Sequence, residues 1–115
     1  MIGNQQIQEI LKQYEKHGWI LRRVLLSARL REILSTSMFD EADVIAADFD
    51  ALWFARVTAN GGEAWELRSL SAAPFALVEV FEDTDEDEVR EEILSEMETQ
   101  MKERASKPVA QKREV

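Results

Sequence analysis

The sequence predicts an α+β fold: an antiparallel meander sheet of about four strands, with N- and C-terminal helices packed on one face. Three observations predict it. Apolar residues recur at helical spacing near both ends of the chain, in "NQQIQEILKQYEKHG" and "DTDEDEVREEILSEMETQMKERA". Between them, "VIAADFDALWFARV" alternates with a period of two, and "EAWELRSL" and "FALVEVFE" are rich in residues that suit a pleated surface. Turn-forming clusters, "ANGGE" and "SAAP", separate these runs at short intervals, as a meander requires.

The elements follow in chain order. Ile7, Ile10, Leu11 and Tyr14 form one stripe of the first helix, with Asn4 as N-cap and Gly18 as the left-handed stop. "WILRRVLLS" reads as a strand, with Ile20, Val24 and Leu26 on one face and Trp19, Leu21 and Leu25 on the other. "ARLREIL" supplies one or two helical turns capped by Ser27 and packing through Leu30, Ile33 and Leu34; a continuing strand is the alternative there. "STSMFDEAD" is a loop.

The long alternating stretch comes next. Ile45, Ala47, Phe49, Ala51, Trp53, Ala55 and Val57 make a continuous apolar face, and Asp48 and Asp50 share the other. Such a strand is long enough to expect a bend or bulge near the aspartates. A three-residue loop at Asn60-Gly61-Gly62, with Gly62 left-handed, sets Ala55 opposite Leu67, Val57 opposite Trp65, Arg56 opposite Glu66 and Phe54 opposite Arg68. Pro74 opens the last strand, where it removes no ladder bond. The last helix has a cap-like Thr84 and Asp87, acids at its positive end, and a stripe of Val89, Ile93, Met97 and Met101 with Leu94 beside it. One domain over residues 1–105 is expected, with a flexible tail over 106–115.

Composition narrows the classes of function. With 115 residues and 45% hydrophobic content, a core can form in one domain. There is no cysteine, so disulfides, thiolate nucleophiles and thiolate metal sites are excluded. The net charge of −9 repels a phosphate backbone, so no nucleic-acid partner is expected. No apolar run reaches membrane-spanning length and no signal segment is legible, so no membrane partner and a cytoplasmic location are expected. Charge is uneven, acidic over residues 79–92 and basic around "LRRVLLSARLRE" and the last fourteen residues. An uneven field of this kind orients a protein partner.

Several residues are candidates for chemistry. Asp48 and Asp50, two apart on a strand, would project together roughly 6.5–7 Å apart along it and, with Glu66, could flank a hard cation. "ELR" at Glu66 resembles the acid-x-lysine half of metal-dependent nuclease sites, with Arg68 where the lysine would stand. The competing account is a solvated strand face neighboured by Arg22 or Arg56. "DTDEDE" has the one-three-five acids of a calcium loop, but Glu88 replaces the required glycine and Leu94 the bidentate glutamate. His17, the single histidine, falls at a helix C-terminus and reads as a cap or surface group. Trp19, Trp53 and Trp65 read as packing rather than a ligand cage, and Met38, Met97 and Met101 as gap-fillers. "NGGE" lacks the lysine of a phosphate loop.

The sheet's second face raises a different expectation. Leu52 and Phe54 on the long strand, and Phe75, Leu77 and Phe81 on the last, are apolar where a one-sided sheet should be polar. These five are the expected interface of a non-enzymatic protein-interaction module, an adaptor or chaperone-like protein that self-associates as a homodimer. In size, charge and plan the chain is similar to small acidic secretion chaperones, though no motif carries that likeness. No cofactor is expected in this reading. The alternative is a carboxylate-based, metal-dependent hydrolase using Asp48, Asp50 and Glu66.

Overall fold

The computed structural model describes residues 3–34, 36–39, 42–70 and 75–106. The "SAAP" turn, part of the "STSMFDEAD" loop and the expected tail beyond residue 106 lie outside them. In chain order the elements are α1 (Asn4–Lys16), β1 (Ile20–Leu26), α2 (Ala28–Ile33), a 3-10 turn (Thr36–Phe39), β2 (Asp43–Ala46), β3 (Ala51–Val57), β4 (Glu63–Ser69), β5 (Ala76–Phe81) and α3 (Asp87–Ser106). The fold is α+β. Its five strands form one mixed sheet in the order β2-β1-β3-β4-β5. β2 runs parallel to β1, and every other neighbouring pair is antiparallel.

The mixed sheet corrects the all-antiparallel meander. The long alternating stretch is two strands, not one: β2 pairs outside β1, the chain crosses at residues 47–50, and β3 pairs on β1's other side. The period of two survives the break for a packing reason. Ala47 and Phe49 rest on the same core as Ala51 and Trp53 although they belong to no strand.

A second correction concerns the helices, which cover opposite faces. Ile7 of α1, with Ile10, Leu11 and Tyr14, packs with Leu30, Leu34, Val24, Leu26, Leu52 and Phe54. Leu94, Met97 and Met101 of α3 pack with Leu25, Trp53, Ala55, Trp65, Leu67 and Phe81. Side chains alternate along β3, so Leu52 and Phe54 serve one core and Trp53 and Ala55 the other. All four are buried. A central strand covered on both sides is apolar on both sides, which is the pattern the sequence carries.

Local details follow from the same packing. A bulge at Arg22 re-phases β1, so Leu21 before it and Val24 and Leu26 after it all face the α1 layer, while Ile20 and Leu25 face the α3 side. The face assignment for β1 is corrected accordingly, and Arg22 and Arg23 both reach the ring of Trp65. Gly3, rather than Asn4, precedes the first turn of α1, and the Gln6 side chain accepts from its N–H at 2.7 Å. Gly18 ends that segment with φ +87°, as expected. Ser27 caps α2 through Leu30 N–H, and Leu30 and Leu34 are buried, whereas Ile33 is exposed. Val89, placed in the buried stripe of α3, is also exposed. Thr84 falls in the turn before α3, and the helix's first backbone bond runs from Arg90 N–H to Glu86.

The hairpin between β3 and β4 keeps a three-residue loop but sets it one residue earlier than expected, at Ala59-Asn60-Gly61, closed by Thr58 N–H donating to the Gly62 carbonyl at 2.9 Å. Ala55 lies opposite Trp65, Phe54 opposite Glu66 and Arg56 opposite Ala64, a shift of two that leaves each residue on its expected face. Gly61, not Gly62, is left-handed, with φ +90°. Gly62 is needed for space instead: a Cβ there would stand 2.1 Å from the Phe81 carbonyl oxygen.

Candidate interaction surface

The three candidate carboxylates do not converge. Asp50 lies in the crossing segment and accepts from Ser27 N–H at 2.6 Å and from its hydroxyl at 3.2 Å. Its role is to hold the start of α2, with Ser27 in turn capping that helix. Asp48, exposed, pairs with Lys102 of α3 at 2.8 Å. The Lys102 ammonium holds the Asp48 carboxyl below its usual range by hydrogen bond and charge, and the aspartate holds Lys102 above its own. Neither Arg22 nor Arg56 is the partner. Among the described residues no group of three His, Cys, Asp or Glu side chains is placed to hold a metal ion.

Glu66 faces the α1 layer and accepts a short hydrogen bond from the Tyr14 hydroxyl. The Tyr14 ring stacks on Phe54 with centroids 3.9 Å apart and meets Trp19 edge-on. Burial pushes the Tyr14 phenol well above its ordinary value; the bond to Glu66 and that carboxylate's charge push it further, and Arg68 opposes them. Arg56, offset from Glu66 by the register, donates to the His17 carbonyl at 2.9 Å and lies over Trp19. His17 itself is exposed, its Nδ1 3.0 Å from the Gln13 carbonyl. Trp53 donates from its indole N–H to Glu98 at 2.7 Å and meets Trp65 edge-on. These contacts tie helices to sheet, with Trp53 and Trp65 in the core and Trp19 partly buried against it.

The five residues expected to form one interface are divided between the two faces. Leu52 and Phe54 are 0% and 1% exposed, in the core shared with α1. Phe81 is buried on the α3 side, where Phe75 and Leu77 pack as partly buried neighbours. Arg104 of α3 covers Phe75, with its guanidinium carbon 4.1 Å from the ring centroid. The five share no face and make no single open surface.

Large apolar residues are left open at Ile20 and Val57, on edge strand β2, and as a strip on the alternate residues of the same last strand. Ala76, Val78 and Val80 point away from α3 and are exposed, Val78 at 54% and Val80 at 59%. They project beside Arg68, Glu66 and Ala64 on β4, beyond the part of the sheet that α1 covers. β5 is also an edge of the sheet. Ser69 N–H donates to the Phe75 carbonyl at 2.9 Å, which fixes the phase of the β4–β5 ladder. Residues 75, 77, 79 and 81 turn their backbone groups toward β4, and Ala76, Val78 and Val80 turn theirs outward. The sequence signal for this strip was present, since "FALVEVFE" is apolar on both faces. Which face stays open depends on where α1 ends across the sheet, and that is a tertiary fact.

No family model matches this chain, and no curated protein or solved structure matches it. No described helix is long and apolar enough to cross a membrane.

Proposed function

We propose that this chain is a non-enzymatic protein-interaction module that self-associates through its sheet. The observation that carries the reading is β5, an edge strand of six residues with exposed Ala76, Val78 and Val80 and outward-turned backbone groups. Natural edges are usually blunted by short length, lysine, proline or a bulge. The other edge, β2, follows that rule, with four residues beginning at Asp43. β5 does not: its only charge is Glu79, which points to the α3 side opposite Trp65. A strand of this kind accepts another strand, with main-chain bonds giving affinity and alternate side chains giving selectivity. The uneven charge supplies orientation. Light scattering on a sizing column, across a range of protein concentrations, tests the reading. The expected mass is twice the 13.2 kDa of one chain. A single-chain mass at every concentration overturns self-association.

A further inference from the structure

We propose that β5 pairs antiparallel with β5 of a second copy, with the two Val78 residues facing each other across a two-fold axis. This rests on the reading of β5 as the interaction element and names its partner and register. Three observations converge on it.

The first is the phase of the free edge. Only Ala76, Val78 and Val80 turn N–H and C=O outward. Placing Val78 opposite its twin sets Ala76 opposite Val80 of the other copy at both ends. Every outward group of the strand then meets an outward group. Sliding by one step in either direction pushes one of the three beyond the end of the partner's strand.

The second is the side chains. In this register Ala76, Val78 and Val80 of both copies form one apolar row on the open face, and Leu77 lies opposite Glu79 on the α3 side. The register centred on Glu79 sets two carboxylates directly against each other, which destabilises a sheet pair.

The third is charge along the strand. Arg104 lies over Phe75, and Arg68 stands opposite Ala76, so the start of β5 is basic. Glu82, Asp83 and Asp85 follow its end. Arg90, near Phe81 at that end, is already paired with Glu63 and Asp87. Antiparallel pairing sets the basic start of one copy against the acidic end of the other. Parallel pairing would set like against like. An isologous two-fold contact therefore suits this edge.

The chain has no cysteine, so single cysteines report the register cleanly. The variants are Val78→Cys, Ala76→Cys and Val80→Cys, all at exposed positions, treated with a short thiol–thiol cross-linker. Val78→Cys should link to itself in high yield. Ala76→Cys and Val80→Cys should each fail alone, since like positions are about 14 Å apart along the strands. Mixed together, those two should link. Self-linking of Ala76→Cys or Val80→Cys, or failure of Val78→Cys, overturns the register. The mass of the untreated protein separates the two levels. A dimer without the cross-linking pattern removes the β5 pairing and leaves self-association standing. A monomer removes both.

Discussion

Replacing Gly62 by alanine places a methyl group against the main chain at the end of β5. An ideal Cβ would lie 2.1 Å from the Phe81 carbonyl oxygen and 3.1 Å from Glu82 Cα. Both are backbone atoms, so no side chain can rotate away. The clash is roughly 1.3 Å inside ordinary van der Waals contact, far up the repulsive wall. Glu63 and Phe81 are the terminal pair of the β4–β5 ladder, so the strand end must move outward to make room. Overpacking of this kind costs about 1–3 kcal/mol, and weakening one terminal backbone bond adds about 1 kcal/mol. The smaller conformational freedom of alanine in the unfolded chain returns about 0.4–1 kcal/mol. The expected net loss is about 1–3.5 kcal/mol. Gly18→Ala is the matched control: φ is +87° there, but nothing lies within 4 Å of the added methyl. Its cost is the left-handed conformation alone, about 1–2 kcal/mol before the same offset. Urea denaturation at one protein concentration measures both, read as a midpoint shift at constant slope. Gly62→Ala within about 0.5 kcal/mol of the wild type, or milder than Gly18→Ala, would refute the close approach of the hairpin loop to β5.

Two further outcomes test the contacts that hold helices to the sheet. Tyr14 is the only tyrosine, so tyrosinate absorbance reports on it alone. Its phenol is held above the ordinary value in the folded state, so the folded chain keeps the proton longer than the unfolded one. Stability from this site is full below about pH 10 and falls as pH rises beyond it, and tyrosinate should appear only as the chain unfolds. Ionisation near pH 10 with circular dichroism intact would contradict the part-buried bond to Glu66. Asp50→Ala removes the acceptor of two Ser27 bonds and should cost about 1–2 kcal/mol in thermal melts, with Asp50→Asn losing less. An unchanged melting temperature for the alanine variant would mean the carboxylate does not hold α2.

Much of this fold was legible in the sequence. The stripes of α1 and α3, the strands β1, β4 and β5, and the Ser27 cap of α2 are local patterns, and local patterns survive into the structure. Three features were not legible, each for a physical reason. Residues 47–50 leave the sheet yet keep their alternation, because Ala47 and Phe49 still pack on the α3 core. Arg22 bulges out of β1, and nothing in "ILRRVLL" distinguishes a bulged arginine from a paired one. The face that each helix covers is absent from an amphipathic stripe, which records that a helix is buried on one side but not against what. The carboxylates were misleading in a related way. Asp48 and Asp50 are adjacent in pattern, but leaving the strand lets one turn to Lys102 and the other to Ser27.

The placement of the helices also decides how this sheet can associate. A face-on dimer through Leu52 and Phe54 would first have to lift α1, exposing two side chains that are now 0% and 1% accessible. That costs about 1.5–3 kcal/mol for each before any new contact forms. The α3 face is closed in the same way by Leu94, Met97 and Met101. The β5 margin is reached without disturbing a core, and its backbone groups are already turned outward; the other edge, β2, is shorter. Edge-to-edge pairing also continues both helical layers, because a two-fold axis perpendicular to the sheet keeps α1 with its twin on one side and α3 with its twin on the other. The apolar residues that make both faces of the central strands look like an interface are the ones that close those faces under the helices and leave the sheet's edges open.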